Sequence, residues 1–303
     1  MRVFFVEQVT AFPAIPEGRV AVVDVAFAAG PGYESATLPF IEMLGDRLAL
    51  WVDHHEHPIG WARYRNDPRF LLVPNREAHA CPELVTPESV MRAGPLDVVV
   101  AHGDFDGLMS AVKFLRNGAA PWPECDEDAR AADSPGRGHT MTARSAALCD
   151  ALGQSQSTLH SKDREKLRQA LVHALAETPD QLPPALAEQL EDLRIAFEKT
   201  LAPARDLAAQ AKLESTGVLV VRVDKPLAKP LKKAVLSELE ARAEVGVVIE
   251  GKQVTAATFR ENLDLAEVAA LGGGRSDYRF STSDDQGRGI VDALGKLVRA
   301  SRT

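Results

Sequence analysis

Aromatic residues make up only 6% of this 303-residue chain. A groove that grips long single strands stacks successive bases on aromatic rings, so a polymer-tracking channel has little to be built from. Cations are outnumbered as well: 35 lysines and arginines face 43 acids, and the net charge of −8 leaves no long basic track for duplex DNA. Cysteine is scarce. Cys81, Cys125 and Cys149 form neither an even framework nor a CxxC pair, which speaks against disulfides and a thiolate zinc site and fits a reducing cytoplasm. No apolar run approaches the length that crosses a bilayer, and MRVFFVEQVTAFP is broken by Glu7, Gln8 and Pro13 too early for a signal peptide. Internal repeats and low-complexity tracts are lacking too. The expectation is a soluble cytoplasmic protein with a small anionic substrate and no membrane partner.

What is present is enough apolar material, 45%, for a substantial core and two domains. Three short β-branched runs end alike: RVAVVD (Arg19 to Asp24), LALWVD (Leu48 to Asp53) and LDVVVAHGD (Leu96 to Asp104). Continuous and without polar alternation, they read as central strands of a parallel sheet covered on both faces. TLPFIEMLGDR (Thr37 to Arg47) suits a crossover, and LMSAVKFLRNG (Leu108 to Gly118) reads as a helix closed by Gly118. The fold class is α/β, a doubly wound parallel sheet followed by a smaller α/β C-terminal domain. Residues 121–139 read as a polar active-site loop between two well-patterned regions. Amphipathic helices then fill 142–215, with interruptions at Gly153, Pro179 and the Pro183/Pro184 pair. The division expected is a catalytic domain over 1–190, a helical linker over 191–214 and a second domain over 215–303.

Behind the second strand stands WVDHHEHP (Trp51 to Pro58), two acids and three histidines in five positions. With Asp24 after the first strand and His102, Asp104 and Asp106 after the third, the acids and imidazoles fall at strand ends, where open parallel sheets hold ligands. Carboxylates together with neutral imidazoles suit divalent manganese, iron or zinc. Carboxylates at i and i+2 can each reach a different ion while a third bridges them. The pattern points to a two-metal site, with ions roughly 3.5 to 4 Å apart, suited to in-line displacement at phosphorus. His57 reads as a solvated loop histidine more readily than as a neighbour of the ligand sphere, and the lysines at 225, 229, 232 and 233 read as a solvated helix face.

These residues resemble a family. VDHH at Val52 to His55 is similar to the signature of the DHH phosphoesterases, AHGDFDGLMSA (Ala101 to Ala111) to their HxDxDG motif, and VAVVDVA around Asp24 to the strand ending in a bridging aspartate. GGGR at Gly272 to Arg275, preceded by ATFRENLDLAEVAAL, resembles the end of a DHHA1 domain. The resemblance implies that His102 and Asp104 hold one metal, that His54 and Asp106 hold the other, and that Asp24 bridges. It implies a further aspartate, best matched by Asp133, with Asp126 and Asp128 as competitors. It gives His55 to the substrate phosphate and makes Asp53 the group that orients an imidazole. Arg260, Gly272, Gly273, Gly274, Arg275 and Arg279 would hold substrate, since a glycine nest beside arginines suits an anion.

Two departures stand out. The family order is HxDxDG, bridging aspartate, DHH; here Asp24 and DHH come first, which reads as a circular permutation within the sheet. Arg275 replaces the family's histidine and would grip phosphate bidentately. The implied activity is a two-metal phosphodiesterase of short oligonucleotides or linear and cyclic dinucleotides. Manganese is the first expectation for the ions, with magnesium, iron or zinc as alternatives. The family also allows a homodimer. The rival readings are a RecJ-like single-strand 5'-3' exonuclease and a non-hydrolytic nucleotide sensor.

Overall fold

The computed structural model describes residues 1–133, 139–260, 262–266, 268, 279–283 and 288–302. The chain divides into two compact units, Met1–Ser134 with His139–Arg194 in one and Ile195–Thr303 in the other. In the first unit five strands, β1 (Arg2–Val6), β2 (Val20–Val23), β3 (Leu48–Asp53), β4 (Phe70–Leu72) and β5 (Val98–His102), form a sheet in the order β1-β5-β2-β3-β4. Every pairing is parallel. The apolar runs lack polar alternation because both faces are covered. Val20, Val22, Trp51, Val98 and Val100 pack under α1 (Leu38–Leu44) and α2 (Pro58–Tyr64). Ala21, Val23, Val52, Val99 and Ala101 pack on the other face with α4 (Phe105–Leu115), α6 (Ala143–Thr158) and α7 (Ser161–Glu177).

The crossovers fix where the site lies. The steps from β2 to β3 and β3 to β4 run over the α1/α2 face. The return to β5, through Ala80, Cys81, Val85 and α3 (Pro87–Ala93), runs over the opposite one. That return inserts β5 between β1 and β2, so the winding reverses beside β2. In such sheets the ligand crevice opens at the carboxyl ends of the strands flanking the reversal.

Three local expectations need correction. Residues 121–139 are not simply a loop: Cys125–Asp133 is a helix, α5, with Cys125, Asp128, Ala129 and Ala131 buried. Helix α6 runs through Gly153, since its packing through Leu148, Ala151 and Leu152 outweighs the roughly 1 kcal/mol intrinsic cost of one glycine. The segment read as helix up to Ser215 ends as α8 (Pro184–Leu201) and α9 (Pro203–Ala209), and Lys212–Ser215 is a strand, β6. The exposed KLES stretch has no period-2 pattern, and its pairing with β7 decides its state. Strand β1 was visible in the sequence only as an apolar patch.

The second unit holds a mixed sheet, β10-β9-β8-β7-β6, made of β6, β7 (Val218–Val223), β8 (Val245–Glu250), β9 (Gln253–Ala257) and β10 (Arg279–Ser283). Only β7 and β8 pair in parallel. Helix α10 (Lys229–Glu240) covers one face through Val235, Leu236 and Leu239, and α11 (Arg288–Ala300) covers the other through Ile290, Leu294 and Val298. Among the described residues no helix is long and apolar enough to cross a membrane.

Candidate metal centre

Three adjacent strand ends build the site. Asp24 follows β2, and its backbone N–H donates to the Val52 carbonyl at 2.9 Å. That bond extends the β2/β3 ladder by one residue before the chain turns left-handed at φ 57°. A non-glycine residue seldom holds that conformation, and such outliers gather at functional sites. Asp53 ends β3, with His54 and His55 directly behind it, and His102 ends β5. Asp104 caps α4, its Oδ1 accepting from Gly107 N at 3.4 Å, and Asp106 lies in the helix's first turn. Gly107 is required by space: a Cβ there would lie 2.5 Å from the His102 carbonyl oxygen and 2.9 Å from Asp24 Oδ2.

These side chains form two donor groups that share Asp24. In one, His102 Nδ1 lies 2.7 Å from Asp104 Oδ2 and 3.8 Å from Asp24 Oδ2. In the other, His54 Nε2 lies 3.4 Å from Asp24 Oδ1, 3.7 Å from Asp106 Oδ2 and 4.0 Å from Asp133 Oδ2. His55 belongs to the same neighbourhood, with Nδ1 3.8 Å from Asp24 Oδ1 and 2.8 Å from Asp53 Oδ1. Asp24 with His54 and His55, and Asp24 with His102 and Asp104, are each close enough to hold one ion.

The state of His54 decides what the pocket wants. Its Nδ1 lies 3.2 Å from the Ala78 carbonyl oxygen, which can only accept, and 3.2 Å from Asn75 Nδ2, and the tautomer with the proton on Nδ1 is the one that serves the carbonyl. Nε2 then turns a lone pair toward carboxylates, which is repulsive unless something positive lies between them. The same demand shows in hydrogen bonding. Five buried atoms, Asp24 Oδ1 and Oδ2, Asp53 Oδ2, His54 Nε2 and Asp106 Oδ2, have no hydrogen-bond partner among the described residues. Buried polar atoms are normally satisfied, and this set of hard oxygens and imidazole nitrogens has the chemistry of divalent-cation ligands.

Electrostatics agree. Burial, then the neighbouring Asp104, pushes Asp24 well above the usual carboxylate range. Burial, then Asp24, does the same to Asp106. Burial acts to raise Asp104 too, but His102 beside it holds this carboxyl below the ordinary value. Burial would lower His55, yet the charge and hydrogen bond of Asp53 raise it to about 10. Two crowded acids that resist ionisation are what a dication would relieve.

The acid-rich segment around α5 is sorted by its partners. Asp126 pairs with Lys113 Nζ at 2.8 Å. Buried Asp128 accepts from Trp122 Nε1 at 2.8 Å, Thr142 N at 2.6 Å, Thr142 Oγ1 at 2.8 Å and Ser145 Oγ at 2.6 Å. Both have structural work, and Asp133, at the end of the helix, is the acid of this segment that comes to His54. His57 is not solvated: it is buried, caps α2 by accepting from Gly60 N at 3.0 Å, and stacks on Tyr33 at 5.1 Å. Asn75 and the Ala78 carbonyl, which fix His54, carried no sequence signal, because an asparagine and a backbone oxygen in a loop match no motif.

Of the residues assigned to substrate, Arg260 is exposed just after β9, its N–H donating to Thr258 Oγ1 at 3.0 Å. Gly272, Gly273, Gly274 and Arg275 lie outside the described residues, as does the side chain of Arg279.

No protein-family model and no curated protein matches the chain. Among solved structures it is similar to exonuclease RecJ bound to manganese, at 15% identity and TM-score 0.48, over 93% of this chain and 75% of that one. It is also similar to the pGpG-specific phosphodiesterase PggH from Vibrio cholerae, at 11% identity and TM-score 0.47, over 83% of this chain and 80% of that one. A third is an exopolyphosphatase-related protein from Bacteroides fragilis, at 13% identity and TM-score 0.45, over 93% and 72% of the two chains.

Proposed function

We propose that the chain is a DHH-type phosphodiesterase that uses two divalent cations, manganese first among them, to hydrolyse short oligonucleotides or dinucleotides. The observation that carries this reading is the pair of donor groups sharing Asp24, with buried atoms that have no hydrogen-bond partner among the described residues. Two bound cations would supply charge neutralisation at the phosphate and a water acidified to near neutrality. The chain's own part is positional. A proton on His54 Nδ1 is taken up by the Ala78 carbonyl and leaves Nε2 as a ligand. Asp24 offers one oxygen to each half, Oδ1 toward His54 and Oδ2 toward His102. Asp53 grips His55 Nδ1 and favours its charged form, which leaves the other ring nitrogen as a donor for a phosphate oxygen.

Short substrates follow from what the chain lacks. A net charge of −8 and 6% aromatic content favour a few phosphates over a long strand. Substrate anchoring by Arg260, Arg275 and Arg279 belongs to the same proposal. Arg275→Ala is expected to raise KM with kcat kept, because ground-state and transition-state binding are lost alike. The direct test incubates the protein with Mn2+ and linear dinucleotides, cyclic dinucleotides and long single strands. Turnover of the short substrates is expected, and its loss in Asp104→Ala and His54→Ala variants whose circular dichroism is unchanged. Binding without turnover would make the protein a sensor, and preference for long strands an exonuclease.

A further inference from the structure

Arg168, on α7, has a fully buried side chain. Its Nη1 donates to Glu7 Oε1, just after β1, while Nε and Nη2 have no hydrogen-bond partner among the described residues. Burying a guanidinium costs several kcal/mol, and a pair with a partly exposed acid repays little of it. Glu7 is such an acid, its side chain 36% exposed and shared with Arg164 at 3.1 Å. That pairing accounts for a surface arginine, not for one with no exposure.

What Arg168 touches explains the burial better. Its guanidinium lies 5.8 Å from the centre of the Phe5 ring and against the backbone of Gly103. A Cβ on Gly103 would stand 2.8 Å from Arg168 Cζ, 2.8 Å from Nη1 and 3.0 Å from Nη2. Gly103 does not have the left-handed backbone that favours glycine, so it is small here for space and not for conformation. Its N–H donates to the Val6 carbonyl at 3.1 Å, tying this turn to β1, the strand that leads to Glu7. Gly103 is the residue between His102 and Asp104, so the flat guanidinium forms the floor under the turn that carries both.

We propose that Arg168 is a positioning residue for the His102–Asp104 half of the metal centre, acting through the shape of its guanidinium against Gly103. The proposal rests on the two-cation reading above. Groups behind metal ligands typically set affinity by 10- to 100-fold when removed. A planar fork and a flexible ammonium are not interchangeable in such a contact, so lysine at this position keeps the charge and loses the floor.

The test titrates the full chain with Mn2+ and follows free Mn2+ by its paramagnetic resonance signal, with Tm recorded in parallel. Wild type is expected to bind two ions. In both Arg168→Lys and Arg168→Met, one ion should weaken by about tenfold or more while the other stays within about twofold. Adding Asp106→Asn to Arg168→Lys should remove the unweakened ion, which assigns the weakened one to His102 and Asp104. Gly103→Ala, which pushes on the contact from the other side, should give the same one-ion signature even if the Arg168 variants fold poorly. Unchanged affinity in Arg168→Lys would overturn the proposal by showing that charge suffices. Equal weakening of both ions, or wild-type binding in Gly103→Ala, would also overturn it. A wild-type protein that binds no Mn2+ would sink the two-cation reading itself, a failure visible before any variant is made.

Discussion

At the scale of single residues, the candidate centre carries a stability cost that bound cations would offset. Asp24 and Asp106 are held well above the usual carboxylate range, Asp24 by burial and then Asp104, Asp106 by burial and then Asp24. A raised acid pKa means that the folded state binds more protons than the unfolded chain. Its cost is therefore absent below the unfolded value near 4 and grows as pH climbs toward the folded value. The chelator-treated protein is expected to lose Tm between pH 5 and 8, and millimolar Mn2+ should restore it at pH 8, as thermal scans would show. Asp106→Asn should raise the Tm of the chelated protein at pH 8 and remove one bound ion; a lower Tm would mean that the carboxylate stabilises the fold. Gly107→Ala places a methyl group 2.5 Å from the His102 carbonyl and 2.9 Å from Asp24. It is expected to abolish Mn2+ binding and lower stability by about 1–3 kcal/mol in denaturant melts. That acids and imidazoles gather at these strand ends was legible in the sequence, because each group directly follows an apolar run. The surroundings of His54 Nδ1 were not, since a backbone carbonyl 24 positions away and the Asn75 amide make them.

At the scale of elements, the strands announced themselves and the segment that carries Asp133 did not. VAVV, LALWVD and VVVAH are buried on both faces, so their unbroken apolar runs had one reading. CDEDARAAD looked like a loop because its stretch is polar and irregular between two well-patterned regions, whereas partners distant in sequence make it a helix. Lys113 ties Asp126 to α4, Arg130 pairs with Glu83 at 2.6 Å, and Asp128 gathers Trp122, Thr142 and Ser145. Asp128→Ala leaves those donors buried without an acceptor and is expected to cost about 2–4 kcal/mol, read as a fall in the urea midpoint. Because α5 delivers Asp133, the same change should weaken Mn2+ binding, while Asp126→Ala, which removes a partly exposed acid and leaves buried Lys113 its bond to the Pro82 carbonyl, should do less. His57 teaches the same lesson: next to DHH it looked like loop decoration, and the stack on Tyr33 and the cap on α2 show it as packing.

At the scale of the molecule, a parallel sheet keeps no record of the order in which its strands were made. Residue 24 and residues 102–106 meet because β5 returns between β1 and β2, and the site needs only that β5, β2 and β3 stand side by side. A permuted motif order therefore has a physical basis in the connections and leaves the donor groups intact. The proposed short substrate has its own consequence: a dinucleotide offers few phosphates, so its binding should depend weakly on salt, with a log–log slope no steeper than about −2. A much steeper slope in affinity measurements would point to a long strand instead. The account as a whole depends on the two donor groups around Asp24, and the most direct measurement of them is an anomalous difference map from crystals grown with Mn2+. Two peaks, roughly 3.5–4 Å apart and flanking the Asp24 carboxylate, are expected. A single peak, or peaks away from Asp24, would contradict it.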